Sequence, residues 1–327
     1  MDNQPILDTI DPEYIERLAI RREEIERGSP ARAGVVAALA LGSVPIALAV
    51  LSKDLYAQGT LPAAVKGVLD FALALEIFEN EFYKAVLGTS NSAALNAAFA
   101  PVRAQAAAVP GAVNTIQQIQ KHETAHVATL QASGATNVFG LSEASFDFTG
   151  ARSPTGGGPF SKATTDLAFL LEVAQGAEDT GVRAYKGQAA NLMSNSALLE
   201  AALRIHSVEA RHASRIRRMR RAAVPATPTT VRYSGTVRGG ERAAAGGTDL
   251  GTVNPTAVGN AFDKIYGAGA NASTAPSESN TTHAGVNVTT LSAAQFGTDA
   301  AQEAFDEPLD RADVIAIVQP FFIPTIS

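Results

Sequence analysis

The chain has 327 residues, of which 46% are hydrophobic and 18% are charged, and its formal net charge is −6. This composition excludes a chain that is disordered throughout, and the acidic balance argues against nucleic-acid binding. Cysteine is absent, so disulfides, thiolate zinc sites and iron–sulfur clusters are excluded, and any bound metal must be held by His, Asp or Glu.

The first long apolar segment is the uncharged run of residues 33–52, bounded by Arg32 and Lys53. Nine of its twenty residues are Leu, Ile or Val. A helix of this length spans about 30 Å, which is the thickness of a hydrocarbon core. We expect a single transmembrane helix here, and a buried core helix is the alternative.

The charges around this run predict its orientation. Four arginines precede it within residues 21–32, whereas only Lys53 follows it closely, beside Asp54. The positive-inside rule therefore makes residues 1–32 a cytoplasmic tail and places the rest of the chain on the periplasmic side of an inner membrane. A cleaved export signal is disfavoured, because residues 1–32 carry eight acids against five arginines. Membrane lipid, with membrane proteins or a second copy of the chain, is the expected partner.

Four long helical patterns follow the apolar run. They cover residues 62–87, 111–133, 163–189 and 195–221. Pro62 and Gly88 suit the beginning and the end of the first helix. A connection over 135–161, rich in Gly, Ser and Thr, separates the two helix pairs. The pattern predicts an all-α fold, in which residues 62–221 form a four-helix bundle with a long crossover.

The composition changes after Arg221. Residues 222–295 are rich in Ala, Gly, Thr, Ser and Asn, which is typical of irregular chain. A helical pattern returns from Ala304 through Ile317 and ends near Phe321 and Phe322. We therefore expect residues 222–327 to be a C-terminal extension that ends in a short helix and packs on the bundle or on a partner.

Two Glu-x-x-His pairs lie on the second helix of each predicted helix pair. They are Glu123 with His126 and Glu209 with His212. Positions three residues apart share one face of a helix, so each pair can direct a carboxylate and an imidazole at one metal ion.

The helix before each pair carries a glutamate that is followed seven residues later by a tyrosine. These residues are Glu76 with Tyr83 and Glu178 with Tyr185. The tyrosines can hydrogen-bond to the ligands, pass electrons or only pack. The alternative to a metal site is a core of paired carboxylates and histidines. However, four carboxylates brought together inside a bundle repel one another and need cations or protons.

This arrangement resembles the ferritin-like di-metal carboxylate superfamily, in which two helices each give a Glu and the other two each give Glu-x-x-His. Two segments, 75–83 (LEIFENEFY) and 305–309 (FDEPL), are similar to the bacterial ferritin-like domain branch that includes desiccation-related proteins. The resemblance implies two bound iron ions, with manganese as a substitute. It implies these ligands: Glu76 and Glu178 in terminal or bridging positions, and Glu123, His126, Glu209 and His212.

Other residues are weaker candidates. Glu79 lies on the face of Glu76 and is a possible fifth carboxylate or a hydrogen-bond acceptor, and His206 is a possible third nitrogen ligand. His122 points off that face and is expected at the surface. An arginine-rich helix end can bind lipid head groups or an acidic partner, or it only complements the helix dipole. It contains Arg211, Arg215, Arg217, Arg218, Arg220 and Arg221.

Two functions fit these patterns. The first is a membrane-anchored di-iron oxidoreductase that oxidises ferrous iron or reduces oxygen or peroxide on the periplasmic side. The second is a structural accessory subunit of a larger respiratory or photosynthetic membrane complex, with the bundle as scaffold. A fold resemblance alone does not choose between an enzyme and a scaffold.

Overall fold

The computed structural model describes residues 61–223, 261–262, 264–290 and 304–327. The predicted transmembrane segment 33–52 and its tail 1–32 lie outside these residues, so both stay predictions. Among the described residues, no helix combines the length and the apolar composition that crossing a membrane requires.

Helices dominate the part of the chain that the structure describes. In chain order they are α1 (Ala63–Leu87), α2 (Ala93–Ala98), α3 (Ala100–Ala107), α4 (Ala112–Ala132), α5 (Leu167–Gln188), α6 (Ser196–Ala223) and α7 (Arg311–Val318). Helices α1, α4, α5 and α6 form the four-helix bundle, in which α1 packs mainly on α4 and α5 mainly on α6. The predicted bundle of two helix pairs is therefore present.

Local sequence signals explain where the bundle helices begin and end. Helix α1 follows Pro62 and stops at Gly88, which adopts a left-handed conformation with φ 76°. Helix α5 begins behind Asp166, whose carboxylate accepts a hydrogen bond from the backbone N–H of Phe169. The side chain of Asn195 caps the start of α6 in the same way. These signals fix the ends within a few residues of their predicted places.

Two short helices that the sequence analysis did not predict connect α1 to α4. The side chain of Ser92 caps α2, and α3 buries Val102 and Ala106 against the bundle. Both helices are short and rich in alanine, so they show little of the apolar periodicity that marks the long helices.

The crossover between α4 and α5 is held by one buried carboxylate. Asp147 accepts hydrogen bonds from the backbone N–H groups of Thr149, Ala151 and Ser153 at 2.9–3.0 Å. Such side-chain to backbone bonds replace the ladder that a helix or strand would provide. The crossover is thus ordered although it contains only short 3₁₀ turns, at Glu143–Ser145 and Ser161–Thr164.

The described part of the C-terminal extension corrects two predictions. Residues 261–262 and 264–266 are helical. Two short strands, β1 (Thr282–His283) and β2 (Val286–Asn287), pair antiparallel through a tight turn. The chain is therefore mainly helical rather than strictly all-α, and residues 222–295 are not uniformly irregular.

The C-terminal segment packs on the bundle. Leu309, Val314 and Phe322 are fully buried, and the Phe322 ring lies 5.4 Å from that of Phe78 on α1. At Gly187 a side chain is excluded, because a Cβ atom there would lie 1.9 Å from the carbonyl oxygen of Leu309. The absence of a side chain at Gly187 allows the segment to lie directly on α5.

A buried arginine of α5 fastens this segment. The Nε atom of Arg183 lies 2.9 Å from the Glu278 carboxylate. The backbone carbonyl of Arg183 accepts a hydrogen bond from the backbone N–H of Leu309. The guanidinium also donates to the backbone carbonyls of Ile265, Gly267, Pro276, Glu307 and Pro308. One side chain thus joins three separate stretches of the extension to the bundle.

Candidate metal centre

The middle of each bundle helix contributes side chains to one buried cluster. Its members are Glu76 on α1, Glu123 and His126 on α4, Glu178 on α5, and Glu209 and His212 on α6. None of the six exposes more than 4% of its surface. The structure therefore brings together every residue that the sequence predicted as a ligand.

The first half of the cluster surrounds the imidazole of His126. Its Nδ1 atom lies 3.0 Å from Glu76 Oε2, 3.1 Å from Glu123 Oε2 and 3.1 Å from Glu209 Oε1. One ligand atom from each of these four residues lies within 4.8 Å of the others. A single cation can therefore contact three carboxylates and one imidazole here.

The second half surrounds His212 in the same manner. Its Nδ1 atom lies 2.9 Å from Glu123 Oε1, 3.2 Å from Glu178 Oε2 and 3.9 Å from Glu209 Oε1. These four residues also fall within 4.8 Å of one another. Glu123 and Glu209 belong to both halves, which is the position of carboxylates that bridge two ions.

The cluster has acceptors that the protein leaves unused. Glu209 Oε2 is buried without any hydrogen-bond donor among the described residues. Glu123 Oε1 and Glu209 Oε1 are buried with only a nearby histidine nitrogen, that of His212 and that of His126 respectively. A buried carboxylate oxygen without a donor is costly. Cations bound between the carboxylates would remove this cost, so the donor set fits a di-metal centre.

The two tyrosines bond across the bundle. Tyr83 of α1 donates to Glu178 Oε1 on α5, and Tyr185 of α5 donates to Glu76 Oε1 on α1 at 2.5 Å. Burial and the charge of Glu178 raise the pKa of Tyr83 well above its usual range, so the phenol stays protonated and donates. Each tyrosine therefore orients the glutamate of the other helix pair.

Glu79 adds a fifth carboxylate beside the cluster. A Cβ atom at Gly181 of α5 would lie 3.1 Å from Glu209 Oε2 and 3.4 Å from Glu79 Oε1. Burial, followed by the charge of Glu209, raises the pKa of Glu79 well above its usual range. The absence of a side chain at Gly181 thus leaves room for the carboxylates of Glu79 and Glu209 against α5.

Burial and neighbouring charges raise the pKa values of several groups in the cluster and so favour their protonated forms. Burial and the charge of Glu123 raise the pKa of Glu209, and burial raises the pKa of Glu76 to about 7 against the pull of His126. Burial alone would lower the pKa of His212, but Glu178 and Glu123 raise it to about 11. A metal ion has to displace these protons in order to bind. We therefore expect metal affinity to increase as the pH rises.

We expect the metal-free protein to lose stability as the pH rises from 5 to 9. The folded state holds protons on Glu76 and His212 at pH values where the unfolded chain, with usual pKa values of 4.5 and 6.5, has released them. Each such group lowers the free energy of unfolding by up to about 1.4 kcal/mol per pH unit. Melting temperatures measured in chelator across this range should fall.

Glu76→Gln is the control for this slope. It removes one of the carboxyl groups that titrate above their usual range, so the slope between pH 5 and 7 should become shallower, while the slope above pH 7 persists. A melting temperature of the metal-free protein that rises through pH 5–7 would contradict the assignment of these protons.

Two other histidines have places that the sequence did not settle. The Nδ1 atom of His122 lies 2.8 Å from Nε2 of His212. His122, which was expected at the surface, is therefore half-buried and contacts a candidate ligand. The sequence holds no sign of this contact, because it crosses from α4 to α6. His206 is in neither half of the cluster, and the charged groups that act on it are Asp306 and Lys186.

Part of the arginine-rich end of α6 points inward. Arg217 pairs with buried Asp179 at 3.0 Å, and Arg220 pairs with Glu172 at 3.1 Å. Tyr266 of the extension also donates to Asp179. These two arginines therefore connect α6 to α5, a role that neither of the two alternatives for the arginine-rich end included.

Comparison with known proteins agrees with this geometry. Residues 65–222 match the model of a family described as the ferritin-like domain. Neither the curated proteins nor the solved structures compared with the chain gave a significant match.

Proposed function

We propose that the protein is a di-iron oxidoreductase that oxidises ferrous iron or reduces oxygen or peroxide, as the match of residues 65–222 to the ferritin-like domain family suggests. The observation that carries this proposal is the pair of Glu and His groups that share Glu123 and Glu209. Carboxylate and imidazole ligands suit iron, and manganese is a credible substitute.

The side chains have distinct roles in this proposal. Glu76 and His126 would hold one ion, Glu178 and His212 the other, and the two shared glutamates would bridge both. Bound iron would supply the redox chemistry by changing its oxidation state. The protein excludes bulk water, since the cluster is buried, and the two tyrosines fix the outer glutamates.

We also propose that the bundle lies on the periplasmic side of an inner membrane, anchored by residues 33–52. The uncharged run and the arginines before it support this location. Membrane lipid, and membrane proteins or a second copy of the chain, would then be its partners. Protease added to spheroplasts should digest the bundle and spare residues 1–32. If the protease instead digests residues 1–32 and leaves the bundle intact, the orientation is opposite to the one proposed.

A second candidate is a structural subunit of a larger respiratory or photosynthetic membrane complex. The bonds of Tyr83 to Glu178 and of Tyr185 to Glu76 support only the scaffold part of this role, because they join the two helix pairs of the bundle. In this role the cluster fastens the bundle, and oxidation of bound iron plays no part.

Oxidation of iron held by the protein tests the oxidoreductase. The full chain is loaded with two equivalents of ferrous iron without oxygen, and oxygen or peroxide is then added while ferric absorbance is followed. We expect iron bound to the protein to be oxidised faster than the same concentration of iron in buffer, with oxygen, with peroxide or with each of them. Bound ferrous iron that is oxidised no faster than free iron would support the structural role instead.

A further inference from the structure

A second feature of the bundle is an apolar cavity beside the metal cluster. It has a volume of about 30 Å³ and lies between α1, α4, α5 and α6. Its walls include Leu69, Leu75, Leu130, Leu198, Ala201 and Ile205.

The cavity adjoins the cluster directly. Leu75 precedes Glu76, Thr129 is one turn beyond His126, and Ile205 is one turn before Glu209. Tyr185 forms part of the wall, and its hydroxyl bonds to Glu76. Tyr185 therefore lies both on the wall of the cavity and against a carboxylate of the cluster.

The chemistry of the walls favours an apolar occupant. Four polar side chains also line the cavity, and each has a partner of its own. The Tyr185 hydroxyl donates to Glu76, the Thr129 hydroxyl donates to the carbonyl of Ala125 at 2.7 Å, and Gln188 accepts from Asn191. Ser133 also has an interaction partner. A water molecule needs two to four polar partners, so an apolar cavity of this kind stays dry and takes apolar gases.

The size of the cavity limits the occupant further. One water molecule needs roughly 10–15 Å³ on this scale, so about 30 Å³ admits a diatomic gas and excludes a larger organic substrate. Hydrogen peroxide would fit by size, but it would lose its hydrogen bonds to water and regain few of them here.

We propose that this cavity binds dioxygen and passes it to the cluster beside Tyr185. The inference rests on the proposed oxidoreductase function and names its oxidant as dioxygen. In the reaction that it feeds, two ferrous ions lose one electron each, and dioxygen takes up both electrons and two protons to leave as hydrogen peroxide.

Xenon binding tests the cavity without any metal. Xenon has no polar group and enters apolar cavities of this kind. Xenon-pressurised crystals or xenon NMR of the metal-free full chain should show one site lined by Ala201 and Leu75. Ala201→Leu, and Ala72→Leu from the opposite wall, should each abolish that site. Absence of xenon from the wild-type cavity would overturn the proposal.

The kinetic arm uses the iron-loaded full chain. Filling the cavity should raise the apparent KM for dioxygen about tenfold or more, which corresponds to about 1.4 kcal/mol of lost binding. The rate with added peroxide should stay at its wild-type value. Ala261→Leu is the matched control, since Ala261 lines a separate apolar cavity between α5 and the extension, and it should leave the dioxygen dependence unchanged.

Two outcomes overturn the inference in distinguishable ways. If both filled variants fold, exclude xenon and keep the wild-type dependence on dioxygen, the cavity is not the route, although the proposed function stands. If wild-type iron is oxidised by neither oxidant while xenon binds, the proposed function fails and takes the dioxygen route with it.

Discussion

Replacing both Glu123 and Glu209 by Gln is expected to abolish binding of the two metal ions while the bundle stays folded. These are the residues that belong to both halves of the cluster, so each ion loses two charged ligands at once. Gln keeps the size of the side chain. At position 209 one carboxylate oxygen lies 3.1 Å from His126 Nδ1, and the amide oxygen of Gln can still accept from that nitrogen.

The expected loss in metal affinity is roughly 100-fold or more for each ion, because even groups behind the ligands contribute 10–100-fold. Anaerobic calorimetry or equilibrium dialysis with Mn²⁺ would measure it, and circular dichroism would check the fold. Glu143→Gln with Glu200→Gln is the matched double control, since both lie outside the cluster. If the Glu123→Gln, Glu209→Gln variant still binds two metal ions tightly, these residues are not the ones that both ions share.

Arg183→Met is expected to give the largest loss of stability outside the cluster. The substitution leaves the buried Glu278 carboxylate without the guanidinium that lies 2.9 Å away. It also removes the donor to five backbone carbonyls. Breaking a buried ion pair from one side costs about 3–5 kcal/mol, and urea unfolding followed by circular dichroism would measure it.

Arg204→Met provides the comparison on the same scale. Arg204 pairs with Glu200 at 2.6 Å, but both side chains are more than half exposed, and such pairs contribute about 1 kcal/mol or less. Arg183→Met should also expose the segment around Leu309 to protease, whereas metal stoichiometry should stay at the wild-type value. An equal cost for the two substitutions would show that Arg183 does not fasten the extension.

Much of the bundle follows from local sequence. Pro62 and Gly88 mark the ends of α1, and the three-residue spacing within Glu123–His126 and Glu209–His212 places each pair on one helix face. Four of the six candidate ligands were therefore readable from spacing, and the resemblance to the ferritin-like superfamily added Glu76 and Glu178. Their convergence is the natural result of packing four amphipathic helices around a common core.

Contacts between distant residues were not readable in this way. Tyr83 lies two turns from Glu76 in sequence, yet it bonds to Glu178, because its long side chain reaches across to the neighbouring helix pair. His122 reaches His212 for the same reason. Such contacts depend on how helices are rotated and offset against each other, which the periodicity of a single helix does not specify.

The C-terminal extension shows the same limit more strongly. Its order depends on Arg183, a residue of α5 that carries no sign of a partner more than 80 residues away. A composition rich in Gly, Ala, Thr and Ser predicts irregular chain. It gives no indication of a guanidinium that binds five carbonyls. Long-range hydrogen bonds therefore order the described stretches where local propensity is weak.

The central claim is that the six clustered side chains hold two metal ions. Anomalous diffraction from crystals grown with Mn²⁺ or with ferrous iron under anaerobic conditions tests it most directly. The account predicts two peaks about 3.5–4 Å apart, the usual spacing of two-metal sites. Both peaks should lie within ligand distance of Glu123 and Glu209, with His126 beside one and His212 beside the other. A single peak, or peaks away from these residues, would contradict it.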